Sequence, residues 1–265
     1  MNENITSRDN QRLVKARKLR DGKITDRIFI EGSRLVAEAI NSDLEIDECF
    51  VAQGFRDREL FDAVNRRTNQ IVELADKIFV SIADTKQPQG IILIAKRPKT
   101  GPETIIRDFN PSVPRLVIFL NEINNPSNLG AIFRTAEAAG VSGIIVSRNS
   151  ADVYSPKSLR AAMGSSFRLP VWDGADFEET IRWAKEGNLT TTAADIAART
   201  SYTEIDWKKP RLLIFGSEAH GLGNEKLSRV KEMINIPMEN GVNSLNLAVS
   251  AGIILFEAKR NNPLP

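Results

Sequence analysis

Residues 116–147 read LVIFL-NEINNPSNLGAIFRTAEAAG-VSGIIVS. Leu116–Leu120 is an unbroken apolar run, the pattern of a strand covered on both faces. The polar Asn121–Ser127 stretch then leads into a predicted helix over Asn128–Ala139, with Ala131, Ile132, Phe133 and Ala136 on its apolar side and Gly140 closing it. Gly143–Ser147 is a second apolar strand. Strand, helix, strand within thirty-two residues is the unit of a parallel α/β sheet.

The alternation continues downstream. Ser158–Met163 is predicted as a short helix, Leu169–Trp172 as a strand, and Asp176–Lys185 as a helix. Leu189–Ala193, Leu212–Phe215 and Ile234–Ile236 are predicted strands, and Ser244–Arg260 is a long helix ending before Pro263. Upstream, Ile28–Ile30, Ile46–Ala52, Gln70–Leu74 and Gly90–Ala95 have strand character, with helices over Ser33–Ile40 and Asp57–Arg66. Pro98, Gly101, Pro102, Pro111 and Pro114 crowd the stretch between the two patterns, which discourages continuous helix and central strand alike. The expected organisation is therefore a smaller α/β domain over 1–97, a linker over 98–112 and a parallel-sheet domain over 113–265.

Composition narrows the chemistry. The 265 residues carry 36 Lys+Arg against 34 Asp+Glu, a net charge of +2, so nucleic-acid binding has to rest on a local patch. Such a patch exists in Arg8–Arg27, with eight basic residues against three acidic, where Leu13, Val14, Ala16 and Leu19 recur at helical spacing. It reads as one amphipathic helix with a cationic face, either solvated or set against a phosphate backbone. A single cysteine, Cys49, excludes a disulfide framework and CxxC sites, and a single histidine, His220, excludes His-rich metal centres, so no metal is expected. The polar N-terminus has no signal-peptide pattern, and no apolar run approaches a membrane span, which points to a cytoplasmic setting.

Ligands of parallel sheets bind at the carboxyl ends of strands. Three such loops combine Gly, Asn and Ser with a charged residue: Asn121–Gly140, Phe215–Gly223 and Ile236–Gly252. Neither GxGxxG nor GxxxxGK[ST] occurs at the expected positions, so the common nucleotide-binding loops are not supported. Taken singly, the residues have plain alternatives. Asn128 or Ser127 can cap a helix, Gly130 can be a packing glycine, and Arg134 can be solvated. Glu218 and His220 can be ordinary turn residues, and Ser244 can cap the last helix with Asn246 just inside it.

Together the three loops resemble the SpoU (TrmH-like) RNA ribose 2′-O-methyltransferases of the SPOUT superfamily. Asn128, Gly130, Arg134, Thr135 and Ala136 match the first motif of that family. Gly216, Ser217, Glu218, Gly221 and Leu222 match the second, and Ile236, Pro237, Met238, Ser244, Leu245 and Asn246 the third. Residues 1–97, with Asn10, Lys15, Leu19, Glu31, Gly32, Gln89 and Gly90, resemble the family's ribosomal-protein-like substrate-binding domain.

The resemblance implies a trefoil knot in the catalytic domain, a homodimer with the pocket near its interface, and S-adenosyl-L-methionine as cofactor, held by Gly216, Gly221, Ile236, Met238 and Leu245. It implies catalysis by Arg134 with Asn128, Glu218, Ser244 and Asn246, where Arg134 is either the base for a ribose 2′-hydroxyl or a clamp for a substrate phosphate. Arg8, Arg12, Lys15, Lys18 and Arg27 would then contact RNA. Ribosomal RNA of the 23S type is the expected substrate. Transfer RNA is the alternative, and a non-catalytic RNA-binding or ribosome-assembly factor the reading from another class.

Overall fold

A computed structural model describes residues 5, 7–107 and 115–262. The chain divides into two compact units, one of residues 1–98 with 154–168, the other of residues 99–153 with 169–265.

The first unit opens with α1 (Gln11–Arg20), shorter than the Arg8–Arg27 helix expected from the periodicity. Asn10 starts it by accepting a hydrogen bond from Arg12 N at 2.9 Å. Gly22, at φ +69°, ends it: Lys23 N reaches Lys18 O and Gly22 N reaches Leu19 O, the paired bonds of a Schellman close. The basic residues beyond Arg20 therefore leave the helical face. Next come β1 (Arg27–Glu31), α2 (Ser33–Ile40), β2 (Ile46–Ala52), α3 (Arg58–Asn65), β3 (Ile71–Leu74), α4 (Asp76–Ile82) and β4 (Ile91–Lys96). The sheet order is β1-β4-β2-β3. β4 pairs antiparallel with both neighbours and β2 runs parallel to β3, so this sheet is mixed. Leu13, Ala16 and Leu19 of α1 close the core over Phe29, Phe50, Val72 and Ile92. Sequence reading missed α4, which is seven residues long, follows β3 after Ala75 alone and has no side-chain cap.

The second unit begins inside the proline-rich stretch. α5 (Pro102–Arg107) forms there because Pro102 stands in the first helical turn, where its missing N–H costs nothing. Thr104 Oγ1 and Gly101 N both donate to Val171 O, and Ile105 is buried against the main core. The expected linker residues 108–112, and residues 113–114 of the expected catalytic domain, lie outside the described residues.

β5 (Leu116–Leu120), α6 (Pro126–Ala139) and β6 (Gly143–Ser147) follow. The chain then returns to the first unit for α7 (Pro156–Ala162) and α8 (Ser165–Arg168). There Arg160 pairs with Asp84 at 2.6 Å and Arg168 pairs with Glu38. No local pattern announced this excursion. The second unit resumes with β7 (Val171–Ala175), α9 (Phe177–Glu186), β8 (Thr190–Ala194), β9 (Thr200–Ser201), β10 (Arg211–Phe215), α10 (Gly223–Leu227), β11 (Glu232–Asn235) and α11 (Leu247–Asn261).

The seven strands lie in the order β7-β6-β5-β10-β8-β11-β9, and every pairing is parallel. From β5 the chain steps outward through β6 and β7, then crosses to build the other half. The direction of winding reverses between β5 and β10, which marks the crevice where an open α/β sheet binds ligands. Among the described residues no helix is long and apolar enough to cross a membrane.

At the amino end of β10, Arg211 is 1% exposed. Its Nη1 donates to Glu232 of β11 and Thr192 of β8, its Nη2 to Asp206 O at 3.1 Å, and its guanidinium carbon lies 5.4 Å from the Trp207 ring centroid. The two partners are buried unequally, the side chain of Glu232 being 36% exposed against 2% for Arg211. Removing the carboxylate strands a buried cation, whereas removing the cation leaves a carboxylate that water reaches. Glu232→Leu is expected to destabilise the chain more than Arg211→Met, by about 1–2 kcal/mol. Urea unfolding midpoints of the two variants check this, and the reverse order contradicts it.

Candidate active site

The switch between β5 and β10 is set by register: Leu120 lies beside Phe215, and Asn121 N donates to Phe215 O at 2.9 Å. The loops leaving these two strand ends are therefore neighbours from their first residue.

After β5, Asn125 caps α6 by accepting from Ser127 N at 2.9 Å, and Pro126 follows in the first turn. Neither Ser127 nor Asn128 is the cap, and Asn128 is left with both ends of its amide available. Helical spacing puts Asn128 on the same face as Thr135, seven residues on. That face meets α11, where a Cβ built on Gly252 would lie 3.6 Å from Thr135 Cγ2. Lys259 Nζ donates to Ala138 O at 2.7 Å further along. α6 and α11 thus run side by side with their N-termini together.

The cap of α11 is Asn246, whose Oδ1 accepts from Ala248 N at 2.9 Å and Val249 N at 3.3 Å. Ser244, expected to be the cap, is exposed and makes no hydrogen bond among the described residues.

This cap dictates a polarity. With Oδ1 held by backbone N–H groups, Asn246 presents Nδ2 outward, and Nδ2 donates to Asn128 Oδ1 at 3.1 Å. Asn128 must then offer its own Nδ2, which donates to Glu218 Oε1 at 3.1 Å. An acceptor is required at the end of the chain, and Glu218 supplies it. Residues from three separate loops are joined in one directed relay.

Glu218 is delivered by a tight turn after β10. Ser217 and Gly221 exchange backbone hydrogen bonds at 3.0 and 2.9 Å, and His220 N donates to Ser217 Oγ at 3.2 Å. Gly221 takes φ +61°. A Cβ on Gly216 would lie 2.2 Å from Gly221 C and 2.5 Å from Leu222 N, so the turn folds back through space that any other residue would fill. His220 is an exposed turn residue. A fourth loop, after β8, also reaches this turn: Asp195 Oδ2 lies 3.9 Å from where a Gly221 Cβ would be. Sequence reading passed over Asp195, although it directly follows the strand run ending at Ala194.

The third loop supplies apolar surface and open backbone. Ile236 and Met238 are half-buried and Leu245 is 36% exposed. Among the described residues, the backbone N–H and C=O of Ile236 and Leu245 have no hydrogen-bond partner.

Arg134 stands apart from the relay. It is exposed, lies about 120° around α6 from Asn128 by helical geometry, and makes no hydrogen bond or ion pair among the described residues.

The basic residues singled out in the first unit divide into two groups. Arg12 pairs with Glu48 at 2.9 Å. Arg27 pairs with Asp47 and Asp26, and the Asp47 hydrogen bond holds its guanidinium above the ordinary arginine range. The charges of Arg12 and Arg27 are thus largely answered inside the domain. Arg8, Lys15 and Lys18 are exposed, and their cationic groups are without an ion-pair partner among the described residues.

Comparison with known proteins gives a consistent picture. Residues 115–256 match the SpoU rRNA Methylase family, and residues 10–93 match an MRM3-like substrate binding domain. The chain is 30% identical to an uncharacterized tRNA/rRNA methyltransferase of Synechocystis, over 97% of the chain and 93% of that protein. It is 27% identical to the 23S rRNA (guanosine(2553)-2′-O)-methyltransferase of Bacillus subtilis, over 96% of the chain and 98% of that enzyme. The crystal structure of an AdoMet-bound rRNA methyltransferase from Sinorhizobium meliloti matches with a TM-score of 0.86, at 31% identity and 99% coverage of both chains.

Two substitutions isolate the local physics. Asn246→Asp keeps an oxygen for the cap, and Asn246→Ala does not, so the alanine variant should be less stable by about 1 kcal/mol. Gly216→Ala forces the turn open and should cost about 2 kcal/mol or more. Thermal unfolding measures both, and equal stability of the two Asn246 variants contradicts the cap.

Proposed function

The chain belongs to the SpoU rRNA methylase family and is an RNA methyltransferase, and we propose that it transfers the methyl group of S-adenosylmethionine to a ribose 2′-hydroxyl of ribosomal RNA. The observation that carries the reading is the Asn246–Asn128–Glu218 relay at the β5/β10 switch, three motif residues joined by directed hydrogen bonds. The 2′-O-methyltransferase named among the relatives and the substrate-binding domain model at residues 10–93 support the acceptor and the substrate class.

The residues present fit the cofactor. An adenine edge is recognised by unpaired backbone N–H and C=O groups flanked by apolar side chains, which is what Ile236, Leu245 and Met238 supply in the third loop, while Gly216 and Gly221 shape the second. When bound, the sulfonium supplies an electrophilic methyl carbon. The remaining work falls to side chains. Glu218 Oε1 is committed to Asn128, which leaves Oε2 as an open acceptor for the ribose hydroxyl. Asn128 and Asn246 hold that carboxylate in place, and Ser244 adds a hydroxyl at the same loop. A pre-set acceptor lowers the barrier by orienting the attacking oxygen before the methyl group is reached.

Arg134 is exposed and has no hydrogen-bond or ion-pair partner among the described residues, which leaves its guanidinium to take a phosphate of the RNA backbone. Within the first unit, the exposed Arg8, Lys15 and Lys18 are the cations for RNA phosphates, while Arg12 and Arg27 are ion-paired to Glu48 and Asp47. The same reading carries the trefoil knot, a homodimer and a cytoplasmic setting.

Methyl transfer from radiolabelled S-adenosylmethionine to separate rRNA and tRNA pools tests the proposal. Label in rRNA at a site resistant to alkaline cleavage, reduced about 100-fold or more by Asn128→Ala, is the expected result. Label confined to tRNA overturns the substrate, and cofactor binding without transfer to either pool overturns the activity. Asn246→Asp should leave the cap intact yet lower kcat about tenfold, because Asn128 loses its donor. Arg134→Ala should weaken RNA binding and flatten its log–log salt dependence by about one unit, whereas an unchanged slope contradicts the phosphate role.

A further inference from the structure

We propose that Lys226 is a positioning residue for methyl transfer, bolting the loop that carries Asn128 to the turn that carries Glu218; this rests on the activity proposed above.

Lys226 lies in α10, which starts two residues after the Ser217–Gly221 turn. Its Nζ donates to Glu122 Oε1 at 2.5 Å and to Asn121 Oδ1 at 3.5 Å, and it sits 5.6 Å from the Phe177 ring centroid. Asn121 and Glu122 are the first two residues after β5. A single ammonium therefore spans the switch, from the element after the second motif to the loop before the first.

The loop it grips needs holding. Glu122 adopts φ +60°, a left-handed conformation that a residue with a Cβ disfavours. Glu122 N donates to Ser147 Oγ at 2.8 Å, Ile123 N donates to Ser150 Oγ at 3.1 Å, and Ala151 N donates to Ile123 O at 2.8 Å. These bonds tie the backbone to the last residue of β6 and the loop after it, on the side away from β10. Lys226 is the side-chain tie in the opposite direction.

Burial strengthens it. Asn121 is 2% exposed, and its Nδ2 is buried with no partner among the described residues. The contact from Lys226 to the amide oxygen is the side-chain hydrogen bond this buried amide makes among the described residues. The ion pair itself is partly shielded, with side chains 29% and 40% exposed. Asn128 follows Glu122 by six residues and Glu218 precedes Lys226 by eight, so the Glu122–Lys226 tie and the Asn128–Glu218 bond close a small ring across the switch. Opening one side of the ring leaves the other as its remaining side-chain link, beyond the Asn121 N–Phe215 O backbone bond at the strand ends.

The test compares Lys226→Met, which keeps the apolar stem over Phe177, with Lys226→Arg and with Glu122→Gly, which relieves the left-handed backbone. Lys226→Met should lower kcat about tenfold with the KM for S-adenosylmethionine changed less than about twofold. Lys226→Arg should restore at least about half of the wild-type rate, since a cation again reaches Glu122. In the Glu122→Gly background, Lys226→Met should change kcat by less than about twofold, the signature of coupling between the two positions. Amide hydrogen exchange over Ile123–Asn128 should speed up in Lys226→Met, and this readout does not depend on turnover. Unchanged exchange in that segment overturns the proposal, as does an equal loss of kcat with Glu122 present or absent. A wild-type protein inactive on both RNA pools would overturn the activity alone, and the exchange experiment would still decide whether Lys226 holds the loop.

Discussion

The parallel pairing of β5 with β10 is the constraint from which the site follows. Chain order would put β6 and β8 beside β5, but β10 is inserted there instead, with Leu120 level with Phe215. Two loops separated by nearly a hundred residues of sequence thereby leave the sheet at one point. Gly216 allows the second to fold back on itself at once, and α11, returning along α6, brings the third loop to the same place. The polar relay needs all three conditions. Its direction is set by the cap of α11 and not by the relay residues themselves, since Asn246 can point only its amino group outward once its oxygen is engaged. Electrostatic preorganisation of this kind is inexpensive because the ordering has already been done by secondary structure.

Strong local patterns were legible from the amino-acid sequence. Leu116–Leu120, Gly143–Ser147, Ile46–Ala52 and the Ser33–Ile40 helix occur where periodicity and apolar runs place them. Elements with little periodicity escaped it: α4 and α10 are seven and five residues long, and β9 has two. Boundaries moved where a cap competed with a neighbour. Asn246 and not Ser244 begins the last helix, Asn125 begins α6, and Gly22 stops α1 well short of Arg27. The three loops at the strand ends were found by their composition, but the relay was not, because it depends on helix–helix packing that joins residues about ninety and about one hundred and twenty positions apart. Nor could sequence reading separate the cations of the first unit that are neutralised by Asp47 and Glu48 from those that stay exposed.

Two kinds of arginine illustrate how burial divides structure from function here. Arg211 is enclosed, bonded on two sides and stacked near Trp207, and acts on the stability of β8, β10 and β11 at the edge opposite the loops. Arg134 is exposed and unpaired among the described residues, on a helix otherwise packed through Leu129, Ile132, Phe133 and Ala136. The guanidinium stands in water on an otherwise buried helix, and the phosphate contact proposed for it would fall on the helix that also carries Asn128.

If the loops at the β5/β10 switch hold the methyl donor against the Asn128–Glu218 pair, a crystal structure with S-adenosylhomocysteine will place the adenosine against the backbone of Gly216, Ile236 and Leu245, with the sulfur facing the Asn128–Glu218 bond. Density for the nucleoside at any other edge of the sheet, or a ligand bound here with that bond broken, would contradict this placement of the donor.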